Sequence, residues 1–142
     1  MTRAVVDTNL VVSGILNPSG SPGAVLRAAG VRFELVWTPA IVVECYRVLS
    51  YPRLKKVLGA RAEAARQVVA DLASLAVLVP PGQLPLVRVV EADPDDDVLF
   101  GTALAGAATF VVTGDATVLA VGSFAGVMVV SAAEFLAILG EH

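Results

Sequence analysis

The chain has one cysteine, Cys45, and one histidine, His142, which is the last of its 142 residues. A lone thiol forms no internal disulfide; it fits a reducing cytoplasm and reads as a small core residue. A lone histidine at a position where chains fray excludes a histidine acid–base pair and a Ser-His-Asp triad. No glycine-rich loop of Walker type is present, which removes nucleotide hydrolysis by that route. Charged residues are scarce at 16%, against 56% hydrophobic residues and a mean hydropathy of +0.78. A membrane span is nevertheless missing. The uncharged stretches 98–114 and 116–133 are separated by Thr113-Gly114-Asp115, and Gly122-Ser123 and Gly126 divide the second. Three apolar residues between Arg3 and Asp7 make no secretory signal. These absences predict a cytoplasmic protein without membrane attachment, built as one domain over residues 1–142.

What is present is a regular alternation. Residues 3–7 read as a strand and 8–16 as a helix; 17–23 is a loop in which Ser21 is placed to cap a helix over 22–29. Residues 33–37 read as a strand, and Thr38-Pro39 starts a helix running to about Leu49. A short basic helix lies between Pro52 and Gly59, followed by a long helix over 60–76 that ends in the apolar run 77–79. After a loop at 80–85 come a short strand at 87–90, a helix over 97–107, a strand at 110–113 and a helix over 116–121. A strand at 127–130 and a helix over 132–139 complete the chain. This order predicts an α/β fold, a three-layer α/β/α sandwich with a central, mainly parallel sheet.

Four carboxylates stand beside apolar segments: Asp7 after Ala4-Val5-Val6, Glu44 within Ile41-Val42-Val43-Glu44-Cys45, Asp97 before Val98-Leu99-Phe100, and Asp115 after Val111-Val112-Thr113-Gly114. Ionised groups are rarely placed so unless a partner offsets their desolvation. With no lysine or arginine embedded in these segments, a hard divalent cation is the expected partner. An all-oxygen acidic set suits Mg²⁺ or Mn²⁺ and phosphodiester hydrolysis. In an open parallel sheet such sites form beyond the carboxyl ends of the strands, where Asp7 and Asp115 fall. Glu44 falls in the stripe made by Ile41, Cys45 and Val48, which predicts an inward side chain that is paired with a cation or bound to metal.

The net charge is −3, but its distribution is uneven. Setting aside Asp7, Glu44, Asp93, Asp96, Asp97 and Asp115 leaves seven acids against ten bases. Six of those bases lie between positions 47 and 66, including Arg47, Arg53, Lys55 and Lys56. A basic segment beginning one turn after Glu44 is suited to carrying a phosphate backbone, and these four are the candidate RNA-binding residues.

The residues resemble those of the PIN-domain nucleases, in the toxin-like branch related to VapC-type toxins. The resemblance is carried by Val5-Val6-Asp7-Thr8-Asn9 with Ser13-Gly14-Ile15-Leu16, by Glu44 with Val48-Leu49-Ser50 and Pro52, and by Asp93-Pro94-Asp95-Asp96-Asp97 followed after one helix by Val112-Thr113-Gly114-Asp115. It implies a Mg²⁺- or Mn²⁺-dependent endoribonuclease, commonly a homodimer, whose site a cognate antitoxin blocks. It also implies that Asp7, Glu44, Asp97 and Asp115 are the catalytic, metal-binding quartet, with Thr8, Asn9 and Thr113 supporting them by hydrogen bonds. The run Asp95-Asp96-Asp97 permits a one-residue shift, which makes Asp96 the alternative to Asp97. Asp97 is preferred because the apolar residues after it, and then Gly101, fit the family's helix pattern. Asp93 is an accessory candidate. Two other readings compete: an aspartyl phosphatase, which wants a second aspartate where this chain has Asn9, and a catalytically silent PIN-like module that binds RNA or protein.

Overall fold

Ala4, Val5 and Val6 are fully buried in the first strand, which has neighbours on both sides in the sheet. The computed structural model describes residues 1–89 and 96–140. In chain order the elements are β1 (Arg3–Val6), α1 (Thr8–Leu16), α2 (Ser21–Ala28), β2 (Glu34–Trp37), α3 (Pro39–Leu49), α4 (Pro52–Leu58), α5 (Ala62–Leu75) and β3 (Val77–Leu78). They continue with α6 (Asp97–Ala105), β4 (Phe110–Val112), α7 (Ala116–Leu119), β5 (Ser123–Phe124), β6 (Val127–Val130) and α8 (Ala132–Leu139). The six strands form one sheet in the order β3-β2-β1-β4-β6-β5. All neighbouring pairs are parallel except β5 with β6. Helices flank the sheet, with α6 packed across β1, β2, β4 and β6, and α1 linking α2 to α3. This is the α/β/α sandwich that the alternating pattern predicts.

The central strands are runs of Val buried on both faces, as parallel strands covered by helices require. Trp37, at the end of β2, is completely buried and donates its indole N–H to the Val6 carbonyl at 3.1 Å, which locks the ends of β1 and β2 together. Gly23 allows the loop before α2 to close on itself: a Cβ there would stand 2.1 Å from the Pro18 carbonyl oxygen. Among the described residues, no helix is long and apolar enough to cross a membrane.

Several local expectations are corrected. Ser21 is the first residue of α2 and the cap position belongs to Gly20, because Pro22, with its fixed φ, sits in the first turn. The apolar run after α5 is the edge strand β3, which pairs Val36 with Val77 and Trp37 with Leu78 and is secured where Thr38 Oγ1 donates to the Val79 carbonyl at 2.9 Å. Residues 87–89 form no strand; their neighbours Pro80, Pro81 and Pro85 lack ladder N–H groups, and the Val89 N–H is given to Asp97 instead. Val90 lies outside the described residues. The hairpin β5–β6 went unpredicted. Its turn puts Ala125 and Gly126 at φ +50° and +85°, the positive values that a tight two-residue hairpin demands.

Candidate active site

The register of β1 and β4 builds the centre of the site. Val6 pairs with Val112, so the next residues, Asp7 and Thr113, emerge side by side at the carboxyl edge. Asp7 is the N-cap of α1 and is only 7% exposed. Its Oδ2 accepts the Thr113 hydroxyl at 2.8 Å, and the same hydroxyl oxygen accepts the Asp115 N–H at 3.0 Å. Burial pushes the Asp7 carboxyl above the usual carboxylate range, opposed by the Thr113 hydroxyl and the Asn9 and Thr8 backbone and assisted by the negative charge of Asp115. Asp115 caps α7, accepting the Thr117 N–H at 2.8 Å.

The site lies where the strand order reverses. From β1 the chain builds β2 and β3 on one side, then returns to place β4 and β6 on the other. The crevice at such a switch point is the favoured ligand position in open parallel sheets. Here it is a cavity of about 720 Å³ whose polar wall includes Asp7, Asn9, Glu44, Arg47, Asp96 and Asp115. The apolar start of α3, Pro39, Ala40 and Val43, forms another wall. The sequence does not single out these three, since Val43 lies in an unbroken apolar run and only the structure shows it exposed.

Glu44 departs from its expected inward position. The buried line of α3 is Ile41, Cys45 and Leu49, while Glu44 sits at its margin and forms an ion pair with Arg47. A cation on the next turn of the same helix is therefore its partner, a spacing that brings side chains together. Asp96 and Asp97 point to different places. Asp96 is the residue before α6 and lines the acidic cavity. Asp97 accepts the Val89 N–H at 2.9 Å and lines a separate groove beside Pro85 and Gly101. Asp93 lies outside the described residues, as does His142.

The supporting residues divide as well. Thr113 binds Asp7 directly, whereas the Thr8 hydroxyl faces Cys45 Sγ at 4.0 Å and Asn9 lines the cavity. Burial, with the charges of Asp7 and Glu44 adding to it and Thr8 opposing, pushes the Cys45 thiol up to about 12, so it remains protonated and is no nucleophile. Arg53, Lys55 and Lys56 are exposed on α4, outside the cavity wall.

Among the described residues, no three Asp, Glu, His or Cys side chains stand close enough together to form a ready-made metal cage. The donor set still fits a hard cation. It is all oxygen, and one of its carboxylates is buried and carries a desolvation cost that a cation would relieve. Mg²⁺ in particular keeps several waters and needs only one or two direct carboxylates.

A crevice of carboxylates at the switch point of a mainly parallel sheet defines a class of α/β protein. The sequence pattern of the PIN domain family matches residues 3–117, and the chain belongs to that family. Its fold is similar to that of PAE2754 from Pyrobaculum aerophilum, at 15% identity over 98% of this chain and 90% of that one, with a TM-score of 0.59. It is also similar to VapBC2 from Rickettsia felis, solved bound to a DNA fragment from its promoter, at 10% identity over 92% and 98% of the two chains, with a TM-score of 0.56. No curated protein sequence matches the chain.

Proposed function

We propose that this protein is a divalent-cation-dependent endoribonuclease, the toxin component of a toxin–antitoxin pair, acting as one catalytic domain. The observation that carries the reading is that Asp7, Glu44, Asp96 and Asp115, from four separate parts of the chain, line one cavity at the carboxyl edge of the sheet. Membership of the PIN domain family supports nuclease chemistry, and the likeness in fold to VapBC2 supports an antitoxin partner. We assign the fourth carboxylate to Asp96 in preference to Asp97, because Asp96 lines this cavity whereas Asp97 lines another groove.

When bound, Mg²⁺ or Mn²⁺ supplies Lewis-acid polarisation of a phosphoryl oxygen and activation of water. Asp7, fixed by Thr113, would be the principal anionic anchor, with Asp96 on the wall of the same cavity. Glu44 would bind the cation or orient the attacking water, and Asp115 would complete the acidic set around them. Hydrolysis of this kind leaves a 5′-phosphate and a 3′-hydroxyl. Arg47 meets the scissile region, while Arg53, Lys55 and Lys56 on α4 hold the RNA backbone further out. A homodimer in the cytoplasm completes the proposal.

The test is incubation of the protein with structured and single-stranded RNA, in Mn²⁺ and in chelator, beside Asp7→Asn. Cleavage that needs Mn²⁺ and is lost in the variant is the expected result. RNA binding without cleavage under every condition would make the protein a silent binding module.

A further inference from the structure

Arg47 is the one base among the described residues that line the acidic cavity, and its charge is already engaged by Glu44. The two side chains retain 64% and 36% of their exposure, and a pair this open to water is weakly held and exchanges readily. A phosphate entering between Asp7, Asp96 and Asp115 meets a single complementary group, and that group is turned toward Glu44. A divalent cation entering the same cavity finds the Glu44 carboxylate answered by a guanidinium.

Resting on the nuclease reading above, we propose that the Glu44–Arg47 pair is an exchange gate joining cation binding to RNA binding. Before either ligand enters, each side chain neutralises the other and limits the repulsion among the four acids. When Glu44 turns to the cation, Arg47 is released to a phosphate oxygen, for which its planar fork is suited. A phosphate that draws Arg47 away likewise releases Glu44. Each ligand therefore strengthens the other by the same factor, as linkage requires. Arg47 is thus a phosphate-binding residue and also the positioning residue for Glu44.

The experiment is calorimetric titration of Mn²⁺ into the full chain and into Arg47→Gln, Arg47→Lys, Glu44→Gln and the double variant Glu44→Gln/Arg47→Gln, without RNA. Loss of the competing guanidinium should tighten Mn²⁺ by roughly two- to fivefold in Arg47→Gln, the range that exposed ion pairs span. Arg47→Lys should stay near the parent. In the Glu44→Gln background, Arg47→Gln should change nothing. Equal tightening in both backgrounds would mean that Arg47 acts only through its general field, and the gate would be wrong.

A second arm adds a short 2′-O-methyl phosphorothioate oligoribonucleotide, recovered intact. The factor by which it tightens Mn²⁺ should shrink in Arg47→Gln, and an unchanged factor overturns the gate. Mn²⁺ binding that is absent, or undiminished by Asp7→Asn, defeats the nuclease reading itself and the gate with it. Binding that depends on Asp7, with no dependence on the Glu44–Arg47 pair, defeats the gate alone.

Discussion

Thr113 donates its hydroxyl to Asp7 and, on the same oxygen, accepts the N–H of Asp115, so one side chain sets the spacing of two carboxylates. Thr113→Val keeps the shape and removes both bonds. A buried carboxylate then loses a donor, which costs about 1–3 kcal/mol. The Asp7 carboxyl rises further, because Thr113 is the strongest influence lowering it. Thermal melts should show the loss, and the acid limb of a pH–activity profile should move upward. Thr113→Ser should restore both.

Asp7 makes a pH prediction with a definite sign. Folding raises its carboxyl above 3.8, chiefly through burial. The folded state therefore favours the protonated form, and that stability is complete below the unfolded value and is lost as pH rises through the folded one. At neutral pH the ionised group is a cost. In chelator at pH 7, Asp7→Asn should melt at or above the parent, and the gap should close as pH falls toward 3.8. Millimolar Mn²⁺ should raise the melting temperature of the parent far more than that of the variant. A variant that melts lower than the parent in chelator at pH 7 would show that the ionised carboxylate is structural.

The adjacent aspartates should separate cleanly. Asp96→Asn should reduce cleavage by about a hundredfold or more in the folded protein. Asp97→Ala leaves the Val89 N–H without its acceptor and should cost about 1–2 kcal/mol, while cleavage survives in the folded protein. The reverse pattern would move the cation to Asp97.

Lys55 and Lys56 are exposed on α4. Changing both to Glu should weaken RNA binding and flatten its salt dependence by about one slope unit per lost phosphate contact. Filter binding across a salt series is the measurement, and an unchanged slope would make this face a solvated surface.

Gly23→Ala tests the loop before α2. The added methyl meets backbone at Pro18, which cannot swing aside as a side chain can, so destabilisation of about 1–3 kcal/mol is expected. Denaturant unfolding would measure it, with cleavage by the folded fraction unchanged.

Much of this architecture was legible because valine runs and proline-led helices are local signals. The strand ending in Asp7 and the helix beginning at Pro39 follow directly from them. What was not legible depends on distant partners. β3 is two residues long and becomes a strand only because β2 offers it an edge. Asp96 and Asp97 differ by about 100° around a helix axis, and the partner that Asp97 takes is Val89, in a loop without periodic pattern. Glu44 and Arg47 stand at a spacing that sequence reasoning can use, and the sequence leaves Glu44 either paired with a cation or bound to metal without naming Arg47 as the cation. Their mutual pairing followed only from seeing Glu44 at the margin of the buried stripe.

The reversal of strand order also governs when the site comes into being. Asp7 and Glu44 are synthesised early, but Thr113, which holds Asp7 in place, follows it by 106 residues, with Asp115 two residues later still. β4 must pair with β1 before Asp7 and Asp115 have the Thr113 hydroxyl between them. A chain in which β4 has not yet docked on β1 has no assembled centre, so the site is a property of the finished sheet and not of either strand alone.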